Sequence, residues 1–201
     1  MKKVFNVFIC FGFVFLLLCN AGNNCFATNA VCNRTSIKVN KNKGTVEDLI
    51  HNNKKIKLDE NFYKWTLSKF SNANAKITKI KLKDLQISQK ENDCFAILPL
   101  RETPSYKFLQ GDEQSYKDYV SSYDPDPTHS VERFKRNVKK WEQSFDLKYL
   151  ITIDADNVIH DGKHRAAWLM HECGEDYEIT VLNVPELRKV NKGNICGRDD
   201  I

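Results

Sequence analysis

The chain has no CxxC pair and no Cys/His run at metal-ligand spacing. Zinc fingers, ribbons and related sites need such pairs to close four ligands around the ion, so those classes are excluded and no metal ligand is assigned. An arginine-rich arm is also missing. The net charge is only +5, from 31 Lys and Arg against 26 Asp and Glu. The lysines Lys54, Lys55, Lys57, Lys76, Lys79 and Lys81 are scattered among acids. That is a solvated surface rather than a phosphate-tracking patch, so DNA is not the expected partner. Internal repeats and low-complexity tracts are absent, which excludes solenoids and disordered linkers. What remains is an ordinary chain of 201 residues with 41% apolar residues, enough to bury one core.

The first thirty residues differ from the rest. Lys2 and Lys3 precede a run from Val4 to Cys19 that is apolar apart from Asn6, and small polar residues follow. The run falls short of the ~20 residues a membrane helix needs. The layout is that of a secretory signal peptide over residues 1–27, with small-residue cleavage patterns ending at Ala27 and at Ala30. The domain is then secreted or periplasmic. A retained segment would be its sole membrane contact, with Lys2 and Lys3 holding the N-terminus inside and the domain outside. Cys10, Cys19 and Cys25 lie within this region, leaving Cys32, Cys94, Cys173 and Cys196. Four thiols in an exported chain permit two disulfides in any of three connectivities. A Cys32–Cys196 bridge would tie down both ends.

Residues 31–74 read as an N-terminal helical extension. An Asn/Lys-rich leader over 31–44 precedes Val46, Leu49 and Ile50 at helical spacing. Asp59 is placed to cap a second helix carrying Phe62, Tyr63, Leu67 and Phe70. Residues 75–190 alternate strands and helices. Strands are expected at Ile77–Leu82, Phe95–Leu100, Tyr149–Ile153, Val158–His160 and Glu178–Val184. Arg101 to Tyr106 reads as a loop. Tyr116, Tyr119, Val120 and Tyr123 recur at helical spacing, and Asp124-Pro-Asp-Pro127 ends that helix. Ser130 caps a longer helix with Val131, Phe134, Val138, Trp141 and Phe145 buried and Arg133, Lys135, Arg136, Lys139 and Lys140 facing out. A tail over 191–201 looks irregular. The expected class is α+β, a small mixed sheet with packed helices.

One segment carries chemistry. Asp161-Gly162-Lys163-His164-Arg165 stands where a strand gives way to a helix bearing Ala166, Leu169, Met170 and Cys173, stopped by Gly174. A helix start offers unpaired N–H groups and a partial positive charge, so it suits anions. Three basic residues in that first turn oppose the helix dipole by roughly 0.3–1 kcal/mol each. An anionic ligand would offset that cost.

Ile153 through Val184 resembles the hallmark segment of the ParB/sulfiredoxin superfamily: two strands joined by an Asp/Asn turn, Asp-Gly-x-His-Arg, an Ala-rich helix, Gly, and a closing strand. Ile77–Leu82 with Asp84-Leu85 resembles the superfamily's opening strand, and the likeness covers roughly residues 77–185. Glu102 through Ser130 is similar to a ParB-like branch. The resemblance implies phosphate or nucleotide binding at Gly162, Lys163, His164 and Arg165. Sulfiredoxins carry Cys where this chain has Lys163, and partition ParB proteins carry Gly-Glu-Arg-Arg and a DNA-binding module that this chain lacks. Free-serine kinases with Asp-Gly-His-His-Arg come nearest. That likeness implies ATP or ADP with Mg²⁺ as cofactor, Glu102, Asp161 and His164 as catalytic groups, Glu102 being the general base, and a small hydroxyl acceptor. The alternatives are a non-catalytic binder of anionic or phosphorylated ligands and a ParB-like nuclease.

Overall fold

The computed structural model describes residues 32–33, 37–91, 94–122 and 130–191. The expected signal segment, the Asp124–Pro127 helix stop and the tail beyond Asn191 lie outside them. Among the described residues no helix is long and apolar enough to cross a membrane.

Seven strands form one open mixed sheet: β1 (Lys43–Thr45), β2 (Asn74–Lys81), β3 (Gln86–Glu91), β4 (Cys94–Pro99), β5 (Ile151–Ile153), β6 (Val158–Asp161) and β7 (Glu178–Asn183). Their order is β1-β2-β7-β5-β6-β3-β4. The pairs β5/β7 and β3/β6 are parallel and the other pairs antiparallel. Among the described residues, six α-helices pack with them: α1 (Val46–Asn52), α2 (Glu60–Trp65), α3 (Pro104–Leu109), α4 (Glu113–Ser121), α5 (Val131–Ser144) and α6 (Lys163–Cys173). The architecture is mixed α/β, in keeping with the α+β expectation.

The sheet is covered on both faces, and the period-2 pattern of β7 shows how. Ile179 and Val181 join one apolar cluster with Ile151, Ile153 and the buried run Ala166–Met170 of α6. Leu182 and Val184 point the other way, into a cluster with Val46 and Leu49 of α1, Leu67, Ala75 and Ile77. Residues before 74 are thus half of the sheet's cover. Each fully buried aliphatic side chain there contributes about 1.5–3 kcal/mol. Lys43–Thr45, which overlaps the end of the loose leader expected over 31–44, is the strand that pairs with β2.

α6 is buried on more than the one face expected of it, because α5 covers its outer side. Trp168 stacks on Phe145 with centroids 4.8 Å apart and meets Trp141 at 6.0 Å. A third cluster joins α3, α4 and α5 through Phe108, Tyr116, Tyr119 and Phe134, with Tyr116 and Phe134 stacked at 4.7 Å. Asp59 and Ser130 cap α2 and α5 as expected.

Three expectations are corrected. Leu100–Glu102 is a 3₁₀ turn, and what read as the rest of a loop is the start of α3, where Thr103 caps and Pro104 opens the helix. A strand, β3, occupies Gln86–Glu91, where none was expected. Cys32 bonds Cys173, not Cys196, across 141 residues of sequence. Cys173 closes α6 next to the incoming N-terminal segment, whose Cys32 carbonyl also accepts from the Tyr177 hydroxyl at 2.9 Å. Cys94 is disulfide-bonded as well. These bridges are compatible with an extracellular location.

Candidate functional site

The β5–β6 hairpin presents the kernel. Its turn is closed by Asp154, whose Oδ1 accepts from the backbone N–H of Asp156 at 2.9 Å and of Val158 at 3.1 Å. Asn157 takes φ 62°, which Asn tolerates in such turns. β6 then carries a bulge. Thr152 faces Asp161 and Ile153 faces Ile159, so one step on β5 spans two on β6, with His160 the extra residue. His160 Nε2 lies 3.0 Å from Asp154 Oδ2, and both side chains are almost fully buried. Burial pushes the Asp154 carboxyl up, but hydrogen bonds from His160 and the two amides outweigh it and hold the carboxyl below its ordinary value.

Gly162 makes the corner from β6 into α6 at φ 93°, ψ 17°. A Cβ there would lie 2.8 Å from an Arg165 guanidinium nitrogen and 2.9 Å from Ile151 Cγ1, so both conformation and space demand glycine. Arg165 is folded back beneath this corner. It donates to Asp161 Oδ2 at 2.8 Å and to the Leu150 carbonyl at 3.3 Å, and its guanidinium lies over the Tyr149 ring. Burial pushes Asp161 above the ordinary carboxylate range, the nearby Asp59 charge adds to that rise, and Arg165 opposes it.

The other two basic residues reach α4. Lys163 Nζ donates to the Tyr119 hydroxyl and sits over its ring. His164 Nε2 lies 3.3 Å from the Tyr116 hydroxyl, with its ring against Phe134 at 5.1 Å. Burial between aromatic rings raises the Tyr116 phenol well above its usual value, so it stays protonated. The first-turn N–H groups of α6 have no intrahelical acceptor. No side chain caps them, whereas Thr45, Asp59, Thr103, Asp112 and Ser130 cap the other five helices of the described residues.

These groups open on a cleft of about 730 Å³, within the usual range for small-molecule sites. Asp161, Gly162, Lys163, His164 and Arg165 all line it, so five of the six expected site residues come together. Glu102 does not. It is exposed on a neighbouring groove with Lys107, Asp118 and Tyr119. The far wall of the cleft is α5, with Arg133, Asn137 and Trp141 at i, i+4 and i+8. Arg133 was expected to face away with the other α5 cations; it turns to the cleft because the buried stripe through Phe134 docks on Tyr116. Asp59 and Asn61 of the extension and Ser88 of β3 also line it, and the Ser88 hydroxyl is buried without a hydrogen-bond partner among the described residues.

Among the described residues, no group of three or more His, Cys, Asp or Glu side chains stands close enough to hold a metal ion. The residues missed from sequence are His160, Asp154, Tyr116, Tyr119, Arg133 and Asn137. The one signal for the first pair was an Asp in a turn six residues before a His that ends a strand. No protein-family model, curated protein or solved structure matches the chain.

Proposed function

We propose that the cleft binds a phosphate-bearing ligand and that the chain is an exported phosphotransferase with a ParB/sulfiredoxin-like fold, passing a phosphoryl group to a small hydroxyl substrate. The observation that carries this reading is the uncapped start of α6. It opens onto the cleft with Lys163 and His164 in its first turn and Arg133 facing it. Unpaired amides, the positive helix end and clustered cations together stabilise an anion. The sequence likeness around Asp161–Arg165 supports the phosphotransfer step.

Phosphoryl transfer asks the protein mainly for positioning and charge neutralisation. The α6 amides with Lys163 and His164 would hold the phosphates of ATP or ADP. Arg165, committed to Asp161 and Leu150, holds the corner in place rather than reaching the ligand. Asp161, buried and paired with Arg165, and Asp59, whose Oδ1 caps α2, do not make a metal site by themselves among the described residues, so Mg²⁺ would come with the nucleotide's phosphates. The ion would neutralise phosphate charge. Glu102, outside the cleft, has no part in this step.

The test is a thermal-shift screen with ATP, ADP, CTP, phosphate and sugar phosphates, with and without Mg²⁺. A nucleotide with Mg²⁺ at a hundred times its Kd stabilises by about 2.7 kcal/mol, a rise of roughly 5–11 °C for a domain of this size. Lys163→Ala removes most of that shift. The Cys32–Cys173 bridge favours a second reading, because nucleotides are scarce in oxidising compartments: a non-catalytic binder of phosphorylated ligands. Stabilisation by plain anions alone selects it. A melting temperature indifferent to every ligand refutes both.

A further inference from the structure

We infer that α5 is the docking helix for an acidic polysaccharide, which lies along a cationic stripe at the lip of the cleft. The inference goes beyond the phosphotransfer reading and stands or falls apart from it. The stripe is Arg133, Arg136, Lys139 and Lys140, all exposed. Arg133, Arg136 and Lys140 follow one another at i, i+3 and i+7, so they share one side of the helix, with Lys139 beside Arg136. At 1.5 Å per residue the stripe runs about 10 Å. Its start, Arg133, already lines the cleft.

Two observations set this group apart from other surface cations. First, the remaining α5 cation is neutralised: Lys135 pairs with Glu113 of α4 at 2.9 Å and lies over the Phe108 ring. Lys41, Lys57, Lys81 and Lys83 pair with aspartates in the same way. Arg133, Arg136, Lys139 and Lys140 make no ion pair among the described residues, not even with Glu132 and Glu142 of their own helix. Second, the arrangement costs the helix stability. Like charges at i+3 and i+4 repel, as Arg136 does with Arg133, Lys139 and Lys140. Arg133 also stands in the first turn, against the helix dipole. A polyanion offsets both effects at once. The composition of the face selects among polyanions. Every exposed position of α5 is polar. A bilayer surface is gripped by apolar residues seated beside the cations, and a single strand of nucleic acid by rings on which bases stack. This face offers charge and hydrogen-bond donors alone, which suits the carboxylate, sulfate or phosphate groups of a flexible glycan. The Cys32–Cys173 bridge is compatible with an extracellular location, where such glycans are the abundant acidic polymers.

The experiment titrates a heparin decasaccharide into the intact oxidised protein by calorimetry, at low and at physiological salt. The wild type binds, more weakly as salt rises. Arg136→Gln/Lys139→Gln/Lys140→Gln weakens binding about tenfold or more and flattens the salt dependence. Lys54→Gln/Lys55→Gln/Lys79→Gln removes the same charge from other exposed positions and leaves the affinity within about threefold of wild type. No binding by the wild type overturns the inference. Equal losses in the two triple variants do so as well, since net charge alone would then be at work. So does an affinity that Lys163→Ala abolishes and the α5 variant does not, which would put heparin in the phosphate cleft. Tighter binding of a DNA duplex or of phosphatidylglycerol vesicles at the same salt overturns the choice of partner. Should the α5 variant not fold, backbone amide shifts in the ¹⁵N-labelled wild type decide. Heparin shifts at residues 136–140 support docking on α5, and shifts confined to other elements refute it. The Mg·ATP thermal shift, measured alongside, persists in the α5 variant. Heparin binding in a protein that shows no such shift removes the phosphotransfer reading and leaves the stripe.

Discussion

Replacing Gly162 by Ala tests the corner on which the kernel turns. Two separate costs add there. At φ 93° an L-residue pays about 1–2 kcal/mol for the left-handed conformation. The new methyl also meets Arg165 at 2.8 Å and Ile151 at 2.9 Å, closer than carbon tolerates. Neither neighbour yields freely, since Arg165 is held by Asp161 and Leu150 and Ile151 is 3% exposed in the core. Overpacking of this kind costs about 1–3 kcal/mol. The expected total is about 2–5 kcal/mol, a fall of roughly 4–20 °C in Tm. Gly111 is the internal control: its φ is 100°, yet nothing lies within 4 Å of a Cβ built there. Gly111→Ala should cost only the conformational part. Urea titration of both variants, with m-values checked for constancy, isolates the difference. Equal losses at the two sites would refute the claim that Arg165 and Ile151 are wedged beneath the corner.

Further outcomes follow from the same contacts. The Cys32–Cys173 bridge closes a loop with sequence separation 141, for which chain entropy sets a ceiling near 5 kcal/mol. Cys173→Ser should lower stability by about 2–5 kcal/mol in denaturant titrations, and an unmoved midpoint would contradict the bridge. Asp154 is held below its ordinary pKa of 3.8. Its contribution to stability is therefore present above that value and lost as pH falls through the lowered one. Asp154→Asn should flatten that acid step in urea midpoints measured from pH 6 to pH 2; an unchanged acid slope would argue against the anchoring. Thr103→Ala, which removes the cap of α3, should cost about 1 kcal/mol, read by the same titration.

Much of the frame was legible because the signals were local. Val, Ile and Leu in alternation marked β2, β5 and β7. Asp59 and Ser130 announced helix starts, and Asp161–Arg165 marked the corner from β6 into α6. Elements that depend on tertiary partners were not legible. Strand β3 is nearly all polar, with Ile87 its lone aliphatic, and it is a strand because β4 and β6 flank it. Thr103-Pro104 reads as part of a loop, although Pro at the first helical position starts a helix. On α5, Arg133 and Phe134 are adjacent, and helical geometry alone does not say that a cleft lies beside the core on that side. The Asp154–His160 contact depends on a bulge, which leaves no compositional mark. Glu102 resembled a catalytic base by position in the sequence, but the path of α3 and α4 sets it on a different groove from Asp161–Arg165. Four cysteines allowed three pairings, and the choice of Cys173 for Cys32 rests on where α6 ends.

The central claim is that the first turn of α6 holds phosphate. It is read most directly by titrating pyrophosphate with Mg²⁺ into ¹⁵N-labelled, oxidised protein and following the backbone amides. Saturable shifts are expected at the amides of Lys163, His164 and Arg165, with smaller ones at Gly162 and along the facing side of α5. Shifts confined to other surfaces, or none at these amides, would contradict it.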